Sequence, residues 1–368
     1  MLKTMIVLAA SLLAAVLHVA EAQDGGIQRG ADIIRERTGA PGIGILIRQG
    51  DQVELGLAGV REIGTDIALA PGDLWHVGSN TKSMTATLVA RLVEQGLVGW
   101  DDTVSLHLGG VVSDIHPAYR DLTFRHLLSH RSGLQANVGD RWMFSFVARG
   151  AAGDPLPPQR IVYSTQVLSA APAAEPEAGF LYSNAGYVVA GAMLEQAMGE
   201  PWEVLIEREV FDPLGLDSAG FGAPGTAGVV DQPRGHRAGV DGSLFALPPG
   251  PAADNPPVLG PAGTVHMSLE DLARYLAVHM AGARGEETGF LEPASWLALH
   301  TPPFGNEYAM GWSVSGAGFE HSGSNTLWLV QMAMWPEHDR AVIIAANDGN
   351  AETLIPYFRR ATAEAMGQ

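Results

Sequence analysis

The chain of 368 residues contains no cysteine and almost no lysine. Without cysteine, disulfides and thiolate metal sites are excluded. Lysine occurs only at Lys3 and Lys82, whereas arginine occurs 20 times. Because a guanidinium stays protonated in proteins, a basic side chain that must lose its proton has to be a lysine. Lys82 is therefore either retained for its chemistry or left over from a biased composition, and its position in the chain distinguishes the two.

The chain also lacks an excess of basic residues and a long hydrophobic run. Its net charge of −18 argues against nucleic acid or anionic lipid as a partner. The apolar run Met5–Val16 is too short for a comfortable membrane span, and Val19–Ala22 fits a signal-peptide cleavage site. We predict a cleaved signal peptide at 1–22 and a periplasmic or secreted protein that begins at Gln23. An uncleaved anchor is the alternative.

Residues 23–368 are predicted to form a single domain. Helical and alternating apolar patterns occur at both ends, at about 23–100 and 261–368, whereas proline and glycine break about 101–260 into short helical stretches without strand alternation. The expected fold class is α/β (α+β), with an antiparallel sheet flanked by helices and a mostly helical subdomain.

Individual elements can be placed within this outline. A first helix is predicted at about 27–38, and a β-hairpin from Ile43 to Leu57. A second helix at about 81–94 carries apolar residues over a wide arc, so we expect it to be buried. A capping pattern at Ser268 predicts another helix start. Strand-like runs and a closing helix follow at Tyr308–Val314, Leu327–Trp335, Ala341–Ala346 and Thr353–Met366.

The single lysine of the predicted mature chain lies in a Ser-x-x-Lys pattern, Ser79 to Lys82, at the start of the second helix. This spacing places both side chains on one helix face, within reach of each other. The helix N-terminus favours negative charge on the serine oxygen and disfavours a protonated amine, and burial would lower the lysine pKa further. The pattern predicts a nucleophile with its base. The alternative is an N-cap serine beside a solvated lysine.

Two further motifs contain groups that fit the same chemistry. Tyr182 could be held as a phenolate or share its proton with the lysine, and could return a proton to a leaving group. Asn184 offers a donor for a substrate carbonyl and an acceptor for Lys82. An isolated Tyr-x-Asn is otherwise an ordinary turn.

The third motif, Glu320–Ser324, lies between strand-like runs near the C-terminus. On an extended edge, Gly323 would let a substrate backbone lie alongside the strand. The N–H groups of Ser324 and Ser79 would form an oxyanion hole. His321 would be an electropositive or hydrogen-bonding group near a substrate carboxylate or ester.

The order Ser-x-x-Lys, Tyr-x-Asn and His-x-Gly resembles the penicillin-recognising serine hydrolases, specifically the branch of class C β-lactamases, D-alanyl-D-alanine carboxypeptidases and related esterases. The resemblance extends over nearly all of the predicted mature chain. Further stretches that carry it are WHVG at 75–78, TFRHLLSHRSGL at 123–134, FLYSNAGY at 180–187, FDPLGL at 211–216, PAGTVHMSLEDLARY at 261–275 and YAMGW at 308–312.

The resemblance implies a β-lactamase/transpeptidase-like fold in which Ser79 is acylated, Lys82 and Tyr182 share the base and acid roles, and Asn184 and His321 bind substrate. The chain departs from the class C pattern at two positions. Those enzymes typically have lysine where His321 stands and alanine where Ser183 stands. Because a neutral imidazole holds a carboxylate less firmly than an ammonium does, carboxypeptidase or esterase activity is favoured over efficient β-lactam hydrolysis.

The sequence disfavours other kinds of active site. His126 and His130 have the spacing of metal ligands, but Leu127 occupies the position of the zinc-protease glutamate, so a structural helix is favoured and no metal is expected. No Gly-x-Ser-x-Gly elbow is present. We predict an extracytoplasmic serine hydrolase that acts through an acyl-enzyme on ester, D-alanyl amide or β-lactam carbonyls, without a cofactor. The alternative is a non-catalytic peptidoglycan or β-lactam binding module, and the oligomeric state is open.

Overall fold

A computed structural model describes residues 25–305 and 308–366. The predicted signal peptide and the cleavage site after Ala22 lie outside the described residues. Within these two ranges, no helix is both long enough and apolar enough to cross a bilayer.

The main sheet has six strands, all antiparallel, in the order β2-β1-β11-β10-β9-β8. A second sheet has the order β3-β7-β4, and β5 pairs with β6. The strands are β1 Gly42–Gln49, β2 Gln52–Gly59, β3 Leu74–His76, β4 Gly220–Phe221, β5 Gly235–Ala238, β6 Leu244–Leu247, β7 Val265–Ser268, β8 Ser313–Ser315, β9 Gly318–Ser324, β10 Leu329–Trp335 and β11 Arg340–Ala346.

Helices cover both faces of the main sheet and form most of the segment between its two halves. A single 3₁₀ turn, Gly78–Asn80, immediately precedes α2. The α-helices are α1 Gly26–Thr38, α2 Thr81–Glu94, α3 Val104–Leu108, α4 Phe124–Leu128, α5 Asp140–Ala151, α6 Leu156–Leu168, α7 Asn184–Met198, α8 Trp202–Ile206, α9 Asp212–Leu214, α10 Gly260–Gly263, α11 Leu269–Ala283, α12 Pro293–His300 and α13 Ala351–Ala365.

The side chains of β1 alternate between the two faces of the main sheet, and each face has its own part of the hydrophobic core. Ile43, Ile45 and Ile47 are buried with α1 and α13 on one face of the sheet, whereas Leu46 belongs to the larger core on the other face. That larger core includes α2, in which eleven residues from Thr81 to Leu92 are buried. The predicted burial of this helix is confirmed, and the Ser79 motif therefore lies at the start of a buried helix.

Several predicted boundaries are confirmed by local geometry. Gly39 ends α1 in the left-handed conformation with φ 74°, a conformation that glycine adopts without steric cost. The Ser268 side chain accepts a hydrogen bond from the Asp271 N–H and so caps α11. The hairpin of β1 and β2 and the closing helix α13 also form where the sequence predicts them.

Two parts of the sequence prediction were wrong. The 101–260 segment contains the short strands β4, β5 and β6, each at most four residues long and so too short to show alternation. The run Tyr308–Val314 is not one strand. Gly311 has φ 83°, and a Cβ there would lie 2.5 Å from the Ser83 Cα, so the chain turns against α2 before β8 begins.

Two buried histidines in the larger core make stability depend on pH. His279 Nδ1 lies 3.1 Å from His300 Nε2. Burial lowers the pKa of both rings below the usual 6.5, that of His300 to about 3. Above about pH 6.5 neither state carries these protons. Between about 6.5 and 3 the unfolded chain binds protons that the folded chain excludes, so we expect the free energy of unfolding to fall as the pH falls.

This expectation can be checked by denaturant unfolding at a series of pH values. In His300→Gln the pH dependence should be shallower by about 1.4 kcal/mol per pH unit within that window, because one proton uptake is removed. The slopes are compared rather than the absolute stabilities, since the substitution also removes the contact with His279. Equal slopes for both proteins would contradict the assignment.

Candidate active site

Ser79 lies on the 3₁₀ turn that joins β3 to α2, and its side chain is partly exposed. It does not cap the helix: the N-cap position is occupied by Asn80, which makes no side-chain capping bond. The turn is instead held by Thr81, whose hydroxyl donates to the Gly78 carbonyl at 2.7 Å and accepts from the Val265 N–H. The N-cap alternative for this motif was therefore wrong.

The Lys82 side chain is completely buried and faces three oxygens. Its Nζ lies 2.7 Å from Asn184 Oδ1, 2.7 Å from the Ala262 carbonyl and 3.0 Å from Ser79 Oγ. Burial lowers the Lys82 pKa well below its usual value. A neutral amine donates its two protons to the amide and carbonyl oxygens, which can only accept. Its lone pair is then left for the Ser79 hydroxyl, as a general base requires.

Tyr182 contacts the same serine oxygen from another side. Its hydroxyl lies 2.8 Å from Ser79 Oγ, and burial raises its pKa to about 12 although the bond to Ser79 opposes the shift. The raised pKa favours a phenol over a phenolate in the resting side chain. Its ring faces the amine, with Lys82 Nζ 4.9 Å from the ring centroid. As a phenol, the Tyr182 hydroxyl can donate its proton to Ser79 Oγ.

His130, which the sequence analysis treated as part of a structural helix, supports Tyr182. It follows the end of α4 with φ 59°, and its ring lies 4.4 Å from the Tyr182 ring. Its Nδ1 accepts the Ser183 N–H at 3.1 Å, and its carbonyl accepts the Leu181 N–H. The backbone on both sides of Tyr182 is thus bonded to one residue. Burial lowers the His130 pKa, so the ring is neutral.

His126 is held separately from His130. Its Nδ1 accepts the Thr123 N–H in a capping box of α4, and its Nε2 lies 2.9 Å from Glu177. No cluster of three or more histidine, aspartate or glutamate side chains suited to a metal occurs in the described parts of the chain.

Asn184 is the first residue of α7 and orients the lysine. The Ser183 hydroxyl accepts the Gly186 N–H and caps this helix. While Asn184 Oδ1 accepts from Lys82, its Nδ2 donates to Asn137 Oδ1 at 3.2 Å. Asn137 was missed by the sequence analysis, because nothing in the local pattern around it indicates that it approaches a residue 47 positions away.

His321 on β9 is neutral rather than electropositive. Burial lowers its pKa to about 3, with a smaller contribution from Lys82. Its Nε2 lies 3.1 Å from the Tyr308 hydroxyl. The Tyr308 ring in turn lies 4.8 Å from the His130 ring. His321 therefore belongs to the aromatic cluster behind Tyr182. We predicted that it would be either electropositive or a hydrogen-bonding group, and its surroundings are compatible only with hydrogen bonding.

The backbone of β9 is in direct contact with the 3₁₀ turn Gly78–Asn80, which we call the nucleophile turn after the predicted role of Ser79. A Cβ on Gly323 would lie 2.0 Å from the Val77 carbonyl oxygen, and a Cβ on Gly78 would lie 2.4 Å from the Ser324 nitrogen. Gly323 is thus required because the protein's own backbone leaves no room for a side chain there. We had predicted a different reason, that glycine lets a substrate backbone lie alongside the strand. The crossing brings the backbone of Ser324 next to that of Ser79. Their use as an oxyanion hole stays a prediction.

An open groove borders the aromatic cluster behind Tyr182, at Phe180 and Tyr308. Its volume is about 920 Å³. Strand β8 pairs with β9 only from Gly318 to Glu320, so β8 leaves the 321–324 half of β9 free. The exposed ring of Phe180 lies 5.3 Å from the Tyr308 ring at the groove wall. The groove is lined by Phe180, Gly305, Tyr308, Ser313, Val314, Ser315, Gly316 and Glu320.

Comparison with known proteins gives consistent results. The penicillin-binding protein 4 of Amycolatopsis lactamdurans is 27% identical over 362 residues, which cover 91% of this chain and 88% of that protein. Esterase EstB of Burkholderia gladioli is 28% identical over about half of each chain, 51% of this one and 48% of the esterase. The octameric penicillin-binding protein homologue of Pyrococcus abyssi superposes with a TM-score of 0.74 at 23% identity, covering 94% of this chain and 77% of that one.

The model of the Beta-lactamase family matches residues 30–364. That range contains the Ser79, Lys82 and Tyr182 cluster, the antiparallel sheet and the helical segment. The fold expected from the resemblance, of the β-lactamase/transpeptidase type, is confirmed. The chain accordingly belongs to the Beta-lactamase family of serine hydrolases, and its relatives include a penicillin-binding protein and an esterase.

Proposed function

We propose that this protein is an extracytoplasmic hydrolase that cleaves uncharged carboxylic esters through an acyl-enzyme on Ser79. The observation that carries the proposal is the double contact at one oxygen. Ser79 Oγ lies 3.0 Å from a buried amine and 2.8 Å from a phenol of raised pKa. A base and an acid are therefore both within proton-transfer distance of the nucleophile.

The proton transfers follow from this arrangement. Lys82 takes the hydroxyl proton as Ser79 Oγ attacks the ester carbonyl, and the oxyanion is bound by the N–H groups of Ser79 and Ser324. The carbon–oxygen bond to the alcohol then breaks, and the Tyr182 hydroxyl gives its proton to the leaving oxygen. Tyr182 is then a phenolate, and Lys82 carries the proton that came from Ser79. Water attacks the acyl-enzyme and gives a proton to Tyr182, and Lys82 returns its proton to Ser79 Oγ as the acid is released.

The charges of the site favour a neutral substrate. β-Lactams and D-alanyl peptides carry a carboxylate close to the bond that is cleaved, and this carboxylate needs a cation. His321 is neutral because burial lowers its pKa to about 3, and the Lys82 pKa is lowered as well. Glu320 adds a carboxylate to a groove that otherwise contains aromatic, small and hydroxyl side chains. A neutral ester needs no cationic partner and is not repelled by the Glu320 carboxylate.

Two features support the remaining parts of the proposal. The signal-peptide pattern at residues 1–22 supports a location outside the cytoplasm. The relatives include a penicillin-binding protein and an esterase, so ester cleavage lies within the chemistry of the family. A binding module without turnover would have no need of a base and an acid at the same oxygen.

Ser79→Ala should abolish both turnover and covalent labelling. We expect the wild-type protein to be labelled by a fluorophosphonate and to hydrolyse short p-nitrophenyl esters with an initial burst, since acylation precedes water attack. Ser322→Ala, on the exposed side of β9, serves as the matched control and should be labelled normally. Stoichiometric labelling without turnover would indicate the binding module instead, and a folded, unlabelled wild type would contradict both functions.

The rate should depend on pH with a single acidic limb. Because Lys82 acts as the neutral amine and its pKa is lowered, kcat/KM should rise as the pH increases through that lowered value and then stay level. Tyr182 acts as the protonated phenol with a pKa of about 12, so no alkaline limb is expected below about pH 10. A rate that continues to rise up to the ordinary lysine pKa would contradict the assignment of the base.

Glu320→Gln should relax the preference for neutral esters. We expect kcat/KM for esters with a carboxylate at the end of the acyl or the alcohol part to rise by about three- to tenfold, because one close repulsion is removed, while neutral esters of the same length change little. Glu337→Gln, an exposed glutamate away from the groove, is the control. An unchanged ratio of the two substrate classes would show that Glu320 does not select substrates.

A further inference from the structure

The loop before α10 contains Asp254, which contacts His76, the last residue of β3. His76 in turn contacts the nucleophile turn. His76 is fully buried, and its Nδ1 accepts the Gly78 N–H at 3.2 Å. A ring nitrogen that accepts carries no proton, so the ring proton is on Nε2. That nitrogen lies 2.6 Å from Asp254 Oδ1, although the two atoms are not aligned for a hydrogen bond. Because a carboxylate oxygen this close repels a lone pair on Nε2, Asp254 favours the tautomer of His76 whose Nδ1 can accept the Gly78 N–H.

The same aspartate contacts the other side of the crossing between β9 and the nucleophile turn. Asn325 directly follows Ser324, and its side chain is nine-tenths buried. Its Nδ2 donates to the Ala253 carbonyl at 3.2 Å and lies 3.4 Å from Asp254 Oδ1. Its Oδ1 accepts from the N–H groups of the two residues at 327 and 328, which fixes the turn after β9. Asp254 thus connects the ends of the two chain segments that carry the predicted oxyanion donors.

A neighbouring contact extends this connection to the base. Asn255 Nδ2 donates to the Gly263 carbonyl at 2.7 Å. The preceding residue, Ala262, supplies the carbonyl that accepts from Lys82. The pair at 254 and 255 therefore contacts three residues next to the site: His76 at the end of β3, Asn325 after β9, and Gly263 after the lysine acceptor.

We propose that Asp254 is a positioning residue of the active site, which fixes the tautomer of His76 and so holds the Ser79 and Ser324 N–H groups at the spacing that an oxyanion needs. The proposal rests on the proposed ester hydrolysis. Without the carboxylate, His76 can place its proton on Nδ1, and the Gly78 N–H then faces a donor instead of an acceptor. The nucleophile turn then keeps its Thr81 contacts but loses the bond at the Gly78 N–H, next to both predicted oxyanion donors.

Asp254→Ala should lower the rate constants of acylation and turnover far more than substrate binding. We expect kcat for p-nitrophenyl esters to fall about 10- to 100-fold, because small displacements of reacting groups have effects of this size. KM should change by less than about threefold, since the oxyanion contacts form only in the transition state. In Asp254→Asn the amide oxygen can keep an acceptor atom next to Nε2, so kcat should recover to within about threefold of wild type.

Asp73→Ala is the matched control, because Asp73 is a buried aspartate just before the same strand β3 and pairs with Arg61 at 2.6 Å. It removes a buried carboxylate contact without affecting His76, so kcat should change by less than about threefold even if the midpoint of thermal unfolding falls. Equal losses of kcat in Asp254→Ala and Asp73→Ala would overturn the proposal and leave Asp254 a purely structural residue.

A double mutant tests the tautomer itself. In His76→Asn the side-chain oxygen takes the place of Nδ1 as acceptor for Gly78 and has no tautomers. Adding Asp254→Ala to this variant should reduce kcat by less than about threefold, whereas the same fold-loss in both backgrounds would contradict the mechanism. If His76→Asn does not fold, the Asp254→Asn rescue decides the matter. A wild type without turnover or labelling would refute the ester hydrolysis instead, so the two failures remain distinct.

Discussion

The site depends on one constraint, the burial of the Lys82 amine between two oxygens that can only accept. Asn184 Oδ1 and the Ala262 carbonyl take two of its hydrogen bonds, and Ser79 Oγ is the third partner. Desolvation favours the neutral amine, and the two acceptors fix the direction of its lone pair. The remaining structure keeps these partners in place: α2 carries the lysine, α7 carries the amide, and α10 supplies the carbonyl.

The crossing of β9 and the nucleophile turn shows how closely the fold and the site are linked. Gly78 and Gly323 lie against each other's backbone, so that neither position has room for a Cβ. Gly78 also has φ 52°, a conformation that favours glycine. Two peptide segments that are 245 residues apart are thus in direct backbone contact. Because N–H groups held in this way need no reorganisation, they suit a charge that develops during a reaction.

Residues with a local signal could be predicted, and residues brought in by tertiary folding could not. The isolated lysine indicated the Ser79 motif, and helical periodicity placed α2 around it. His130, Asn137 and Asp254 were missed, since each lies in a loop and reaches the site only after the helical segment has folded against the sheet. The strand predicted at Tyr308–Val314 began too early, because a run of apolar residues does not reveal the turn at Gly311 that precedes the three-residue β8.

The same burial affects both the proposed base, Lys82, and the kind of substrate that the site would accept. An enclosure that lowers the Lys82 pKa also lowers the pKa of His321 to about 3, so neither group provides a fixed positive charge for a bound anion. A substrate carboxylate would stabilise the protonated lysine and thereby weaken the base that the reaction requires. A neutral ester, the substrate class proposed above, would leave the amine free to accept the Ser79 proton.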